Sequence, residues 1–151
     1  MLKKFVSSLL VILILAGCSS GGGSSTSSKA NAGDIAASLV KDLKLEDKVV
    51  STEDRIIQGL MFFPENAVEE SALYLSNDKK ADTVGVFKAK DVEACKECIE
   101  TYRETLKSQM QSYAPGETFK VDSAIIEEKN GYVIFVICDN LEDARKLVDK
   151  L

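Results

Sequence analysis

Three cysteines in the body of the chain, Cys95, Cys98 and Cys138, are the residues best suited to chemistry. Cys95-Lys96-Glu97-Cys98 has the spacing of a dithiol exchange motif. Such a motif works when its first thiol sits at a helix N-terminus, where free N–H groups and the dipole favour the thiolate. Here Asp91 is the expected cap, so Cys95 falls about one turn inside the helix. Glu93, Glu97 and Glu100 add negative charge around the pair. Both features disfavour a thiolate. The only later proline is Pro115, so no cis-proline candidate faces the motif. A thiol–disulfide oxidoreductase using Cys95 and Cys98 is therefore the alternative reading. Buried structural thiols are the other, because cysteine in an apolar stripe behaves as a small hydrophobe. A disulfide from Cys138 to Cys95 or Cys98 would form if the long helix packs on the strand that Cys138 ends. A Cys95–Cys98 bond within a regular helix would be strained. Zinc would need a carboxylate as fourth ligand, since the chain has 0 histidines.

Other catalytic patterns are missing from the sequence. Glu69-Glu70 and Glu127-Glu128 are strand neighbours that point to opposite faces, and Glu142-Asp143 fits a first helical turn. Gly21 to Gly23 lie in a Ser/Gly tract and do not form a phosphate loop, and no Gly-x-Ser-x-Gly elbow occurs. Without histidine the commonest general base is gone. No catalytic residue, metal or dissociable cofactor is expected, and the chain is not expected to be an enzyme.

The fourth cysteine, Cys18, closes Leu15-Ala16-Gly17-Cys18. Before it stand Lys3 and Lys4, then an apolar run from Phe5 to Leu15 broken only by Ser7 and Ser8. That is the build of a secretory signal, and Ala16 and Gly17 are the small residues a signal peptidase accepts. The run is shorter than the ~20 apolar residues of a membrane span. A cysteine directly after such a site resembles the lipobox of bacterial lipoproteins. The resemblance implies cleavage of 1–17, a diacylglycerol and fatty acyl group on Cys18, and a new N-terminus there. It places the expected product on the outer face of a cell membrane, held by lipid alone.

The chain has 151 residues with 19 basic and 24 acidic side chains. Loss of 1–17 removes Lys3 and Lys4, so the formal charge moves from −5 to about −7. Such a surface is repelled by nucleic acid and by anionic headgroups. Nucleic acid is excluded as a partner on this ground. The tract 19–33, SSGGGSSTSSKANAG, cannot build a core and reads as a flexible linker after the lipidated Cys18, with a reach of ~20 Å. Residues 34–151 remain for one domain.

Within that domain, Asp34 caps an expected helix at 35–44, and a shorter one starts at Ser51 or Thr52 with Ile56, Ile57 and Leu60 inward and Gly59 near its end. Met61-Phe62-Phe63-Pro64 is an apolar corner, either packed under a sheet or exposed to a partner, and Pro64 suits a helical turn. Strands at 70–76 and 83–89 flank the polar loop 77–82 and form a hairpin. Asp91 caps the longest helix, 92–113, with a stripe from Val92 through Cys95, Ile99, Tyr102, Leu106 and Met110 to Tyr113. A third strand is expected at 119–128, and Asn130-Gly131 turns it into the apolar run Tyr132–Cys138. The last helix buries Leu141, Ala144, Leu147, Val148 and Leu151. The pattern gives an α+β domain: a four-stranded antiparallel sheet from two hairpins, packed with a long helix and shorter ones.

One further likeness rests on particular segments. They are the Val-Val and acidic helix region, Phe63-Pro64-Glu65-Asn66-Ala67-Val68-Glu69-Glu70, Ala72-Leu73-Tyr74-Leu75-Ser76, and Val84-Gly85-Val86-Phe87-Lys88-Ala89-Lys90-Asp91. Together with the final Gly-Tyr-Val strand and helix, they resemble the bacterial lipoprotein domain known as domain of unknown function 4358. The resemblance implies an extracytoplasmic lipoprotein and carries no catalytic motif. The expected role is a non-catalytic binding or interaction module acting on an envelope protein or a small ligand, or else an envelope assembly or accessory factor.

Overall fold

A computed structural model describes residues 30–151. The signal segment, Leu15, Ala16, Gly17 and Cys18 lie outside the described residues. The elements run α1 Ala32–Asp42, β1 Val49–Ser51, α2 Asp54–Met61, β2 Val68–Ser76, β3 Thr83–Ala89 and α3 Val92–Tyr113. After a 3₁₀ turn at Pro115–Glu117 come α4 Thr118–Asp122, β4 Ile125–Lys129, β5 Tyr132–Ile137 and α5 Leu141–Val148. The fold is α+β, with one antiparallel sheet in the order β1-β2-β3-β5-β4.

The sheet has five strands where the sequence suggests four. The extra one, β1, is three residues long and pairs Val50 with Leu75 on β2. So short a segment carries no readable alternation. The two expected hairpins are present, β2 with β3 and β4 with β5, and β3 pairs with β5 to join them. Asn130 and Gly131 both take positive φ (53° and 86°), as a type I′ turn requires. β3 is the middle strand, and the apolar run of β5 is interior and buried on both faces.

Strand alternation divides the core in two. Val84, Val86, Ile134 and Val136 face α1 and α5, with Leu39, Val40 and Val148 above them. Leu73, Phe87, Val133, Phe135 and Ile137 face α2, α3 and α4, with Ile57, Ile99 and Val121. Gly85 is required by packing: a Cβ there would stand 2.8 Å from the Phe87 ring.

Several local expectations are corrected. Asn31, not Asp34, caps α1; Asp34 occupies the third helical position and returns the bond, a capping box that starts the helix earlier than expected. α2 begins at Asp54 without a side-chain cap and ends past Gly59, at Phe62. Ile57 and Met61 point inward, whereas Ile56 is exposed. Pro64 accepts a turn bond from Ala67 N–H and starts no helix. Residues 118–122 are helical, so the third expected strand is shorter and begins at Ile125. Pro115 opens the turn that seeds this helix, and Lys120 and Val121 hold it against the core. Tyr113 ends α3 exposed, and Leu151 lies exposed past the end of α5 at Val148, so neither joins the core.

The two edges of the sheet differ from its middle. β1 is very short, and β4 carries Glu127, Glu128 and Lys129, with Glu127 paired to Arg145 and Lys129 to Asp149.

Candidate functional site

The site with the strongest case is a groove where α2 lies beside α3. Its volume is about 420 Å³, within the range of small-ligand sites. Leu60, Met61 and Phe62 form one wall, Leu75 of β2 the floor, and Cys98, Thr101, Tyr102, Thr105 and Gln109 the other wall. The α3 positions that line it are uncharged, although α3 also holds Glu93, Lys96, Glu97, Glu100, Arg103, Glu104 and Lys107. The spacing 98, 101, 102, 105, 109 is one face of a 3.6-residue helix, so a single stripe has been kept neutral. Val50 pairs with Leu75 and therefore shares its face, extending apolar surface to the edge of the sheet.

Phe62 is the unusual residue of this groove. Its φ of 52° and ψ of 39° put it in the left-handed region, which costs a bulky residue roughly 1–2 kcal/mol. Its ring is nonetheless 79% exposed at the rim of the groove. Backbone strain and an unburied aromatic thus coincide at one position, a pairing that stability alone disfavours. The turn is held by Phe62 N–H donating to the Gln58 carbonyl and by the Cys98 thiol donating to the Phe62 carbonyl at 3.7 Å. Of the apolar corner read from sequence, Met61 is buried, Phe63 packs edge-on to Phe87 at 5.1 Å, and Phe62 alone projects.

All three body cysteines, Cys95, Cys98 and Cys138, are free. Cys95 belongs to the α3 side of the sheet and Cys138 to the α1 side, so the sheet stands between them. The premise for a Cys138–Cys95 disulfide, α3 packing on the Cys138 side, is not met. Burial, with the neighbouring Cys98 and Asp91 adding to it, pushes the Cys95 thiol up to about 12. Burial also raises Cys98, and Glu97 adds to the effect. Cys138 is pushed up to about 11, chiefly by burial. These are the surroundings of inert packing thiols, opposite to those of an exchange nucleophile. Among the described residues no cluster of His, Cys, Asp and Glu could hold a metal ion. Among them, too, no helix is long and apolar enough to cross a membrane.

Two other depressions lie elsewhere on the domain. One of about 570 Å³ lies between α1 and β2 and is lined by Asp54, Glu69 and Glu70. Glu70 already accepts the Ala32 N–H at 2.9 Å and pairs with Lys88, and the helix-end bond holds its carboxyl below the usual range. The other, about 440 Å³, is lined by Ile35, Tyr132, Ile134 and Leu151.

A second cluster is assembled from residues far apart in the sequence. Lys120 is 4% exposed, yet its ammonium meets Glu117 and Asp139 at 2.8 Å and Asp82 at 3.5 Å. Lys48 joins from outside, 3.3 Å from Asp139. Burial alone would lower the Lys120 pKa, but hydrogen bonds to Asp139 and Glu117 outweigh it and raise it. A permanently charged lysine of this kind ties structure together and offers no free amine for chemistry.

No curated protein and no solved structure matches the chain. A family model described as domain of unknown function (DUF4358) matches residues 41–138, from the last turn of α1 to the cysteine after β5. The match contains the groove and the whole sheet; the chain belongs to the family of the domain of unknown function DUF4358.

Proposed function

We propose that this chain is a lipoprotein anchored through acylated Cys18 on the outer face of a cell membrane, and that its domain is a non-catalytic binding module working through the α2–α3 groove. The observation that carries the binding role is the charge-free groove with strained, projecting Phe62 at its rim. Proteins place strain and exposed aromatic surface where another molecule will meet them. The anchor rests on Leu15-Ala16-Gly17-Cys18 and the apolar run before it. The occupant's contacting face would be uncharged, matching the groove.

Two experiments test the two halves separately. A fatty-acid probe should label the chain in the membrane fraction, and Cys18→Ala should abolish both labelling and retention. A wild-type chain that stays soluble and unlabelled removes the anchor. For the groove, the neutral apolar dye Nile red should bind at one saturable site. Phe62→Asp should weaken that binding about tenfold or more, since losing a buried aromatic contact is worth about 1.5–3 kcal/mol. Phe62→Gly should raise the stability of the fold by about 1 kcal/mol, as glycine relieves the left-handed strain, while also weakening dye binding. Equal binding by all three proteins would defeat the groove as the site.

A further inference from the structure

We propose that Asp82 in the folded domain keeps its proton at pH values where an exposed aspartate has lost it, and that this makes the attachment of α4 to the sheet sensitive to pH. Three geometric facts carry this. Asp82 is 0% exposed, and its Oδ1 has no hydrogen-bond partner. Its other oxygen, Oδ2, stands 3.5 Å from the Lys120 ammonium, while Glu117 and Asp139 each hold that ammonium at 2.8 Å. The charges that face the cluster come from every element around it: Lys48 before β1, Asp82 before β3, Glu117 on the 3₁₀ turn, Lys120 on α4 and Asp139 after β5. With Asp82 neutral the two cations balance the two remaining carboxylates. With Asp82 ionised a buried negative charge is left over, shared between an oxygen 3.5 Å from the Lys120 ammonium and one that nothing touches. Desolvation of a bare carboxylate is far costlier than holding one proton. Burial accordingly raises the Asp82 pKa, and Asp139 adds to this, although Lys120 and Lys48 pull the other way. The Cys138 thiol nearby is itself raised and stays neutral.

The consequence follows from linkage. A folded-state pKa above the unfolded value gives stability that is present at low pH and lost as pH rises through the folded pKa. An unfolded aspartate titrates near 3.9, so the loss occurs above that value. Asp139 works in the opposite direction, because its bond from Lys120 lowers its pKa and its contribution fades as pH falls. What Asp82 controls is the grip on α4, since Lys120 is the residue of that helix held at the sheet end.

The test compares the full chain with Asp82→Asn, a neutral isostere of the protonated acid. Thermal midpoints should agree at pH 3.5, and at pH 8.5 the variant should melt several degrees higher than wild type. In wild type, carbon-13 carboxyl NMR should show Asp82 titrating above the usual aspartate value. A variant that melts lower at both pH values, or fails to fold, would mean that Asp82 acts as an essential anion. An Asp82 carboxyl already ionised at pH 4.5 would overturn the proposal as well.

Discussion

Lys120→Met is expected to destabilise the fold by roughly 3–5 kcal/mol, the largest effect of any single charged residue here. Methionine replaces the aliphatic stem but removes the one ammonium that holds Glu117, Asp82 and Asp139 together. The carboxylates of Glu117 and Asp139 would then converge at the end of the sheet with only Lys48, beside Asp139, as counter-charge. Glu117 keeps its bond from the Ala81 N–H and Asp139 keeps Lys48, so part of the network survives. The rest must be opened to water, and that means lifting α4. Urea unfolding measures the loss through the midpoint, and an unchanged slope would show that the same surface still unfolds in one step. A loss under about 1 kcal/mol would show that the ammonium contributes no more than an exposed surface pair.

Phe87→Ala should cost about 3–5 kcal/mol by the same measurement. Phe87 lies on the middle strand and is fully buried. Its ring covers Gly85 and meets Phe63 edge-on. A paired strand cannot move to fill the space. Gly85 has no side chain to offer, and Phe63 is fixed to the turn after α2. The void therefore persists, and the cost includes lost contacts as well as lost burial. Collapse of Phe63 into the gap would bring the cost to the lower end of that range and disturb the groove rim beside it.

How much of this was legible in the sequence depended on length and on locality. The helix 92–113 was fully readable because its cap, its apolar stripe and the proline after it agree over many turns. The Asn130-Gly131 turn was readable because its chemistry is contained in two residues. β1 leaves no trace in the sequence because three residues show no period, and α4 reads as strand because Phe119 and Val121 alternate around Lys120. The two sites were harder still. Phe62 stood out as part of an apolar corner, but its left-handed turn and its position beside α3 depend on how α2 packs. Lys120 gave one faint signal, a charge between apolar neighbours. Its partners Asp82 and Asp139 lie far along the chain and meet it only once the sheet has formed.

The two border strands carry a final implication. Unpaired strand edges are where neighbouring molecules zip together, and long, flat, greasy ones do so most readily. Here one border is a stub and the other is studded with carboxylates and a lysine. Two copies meeting side by side along the glutamate-rich border would set like charges against each other. Crowding should therefore leave these domains as separate bodies, with the cleft beside Phe62 uncovered.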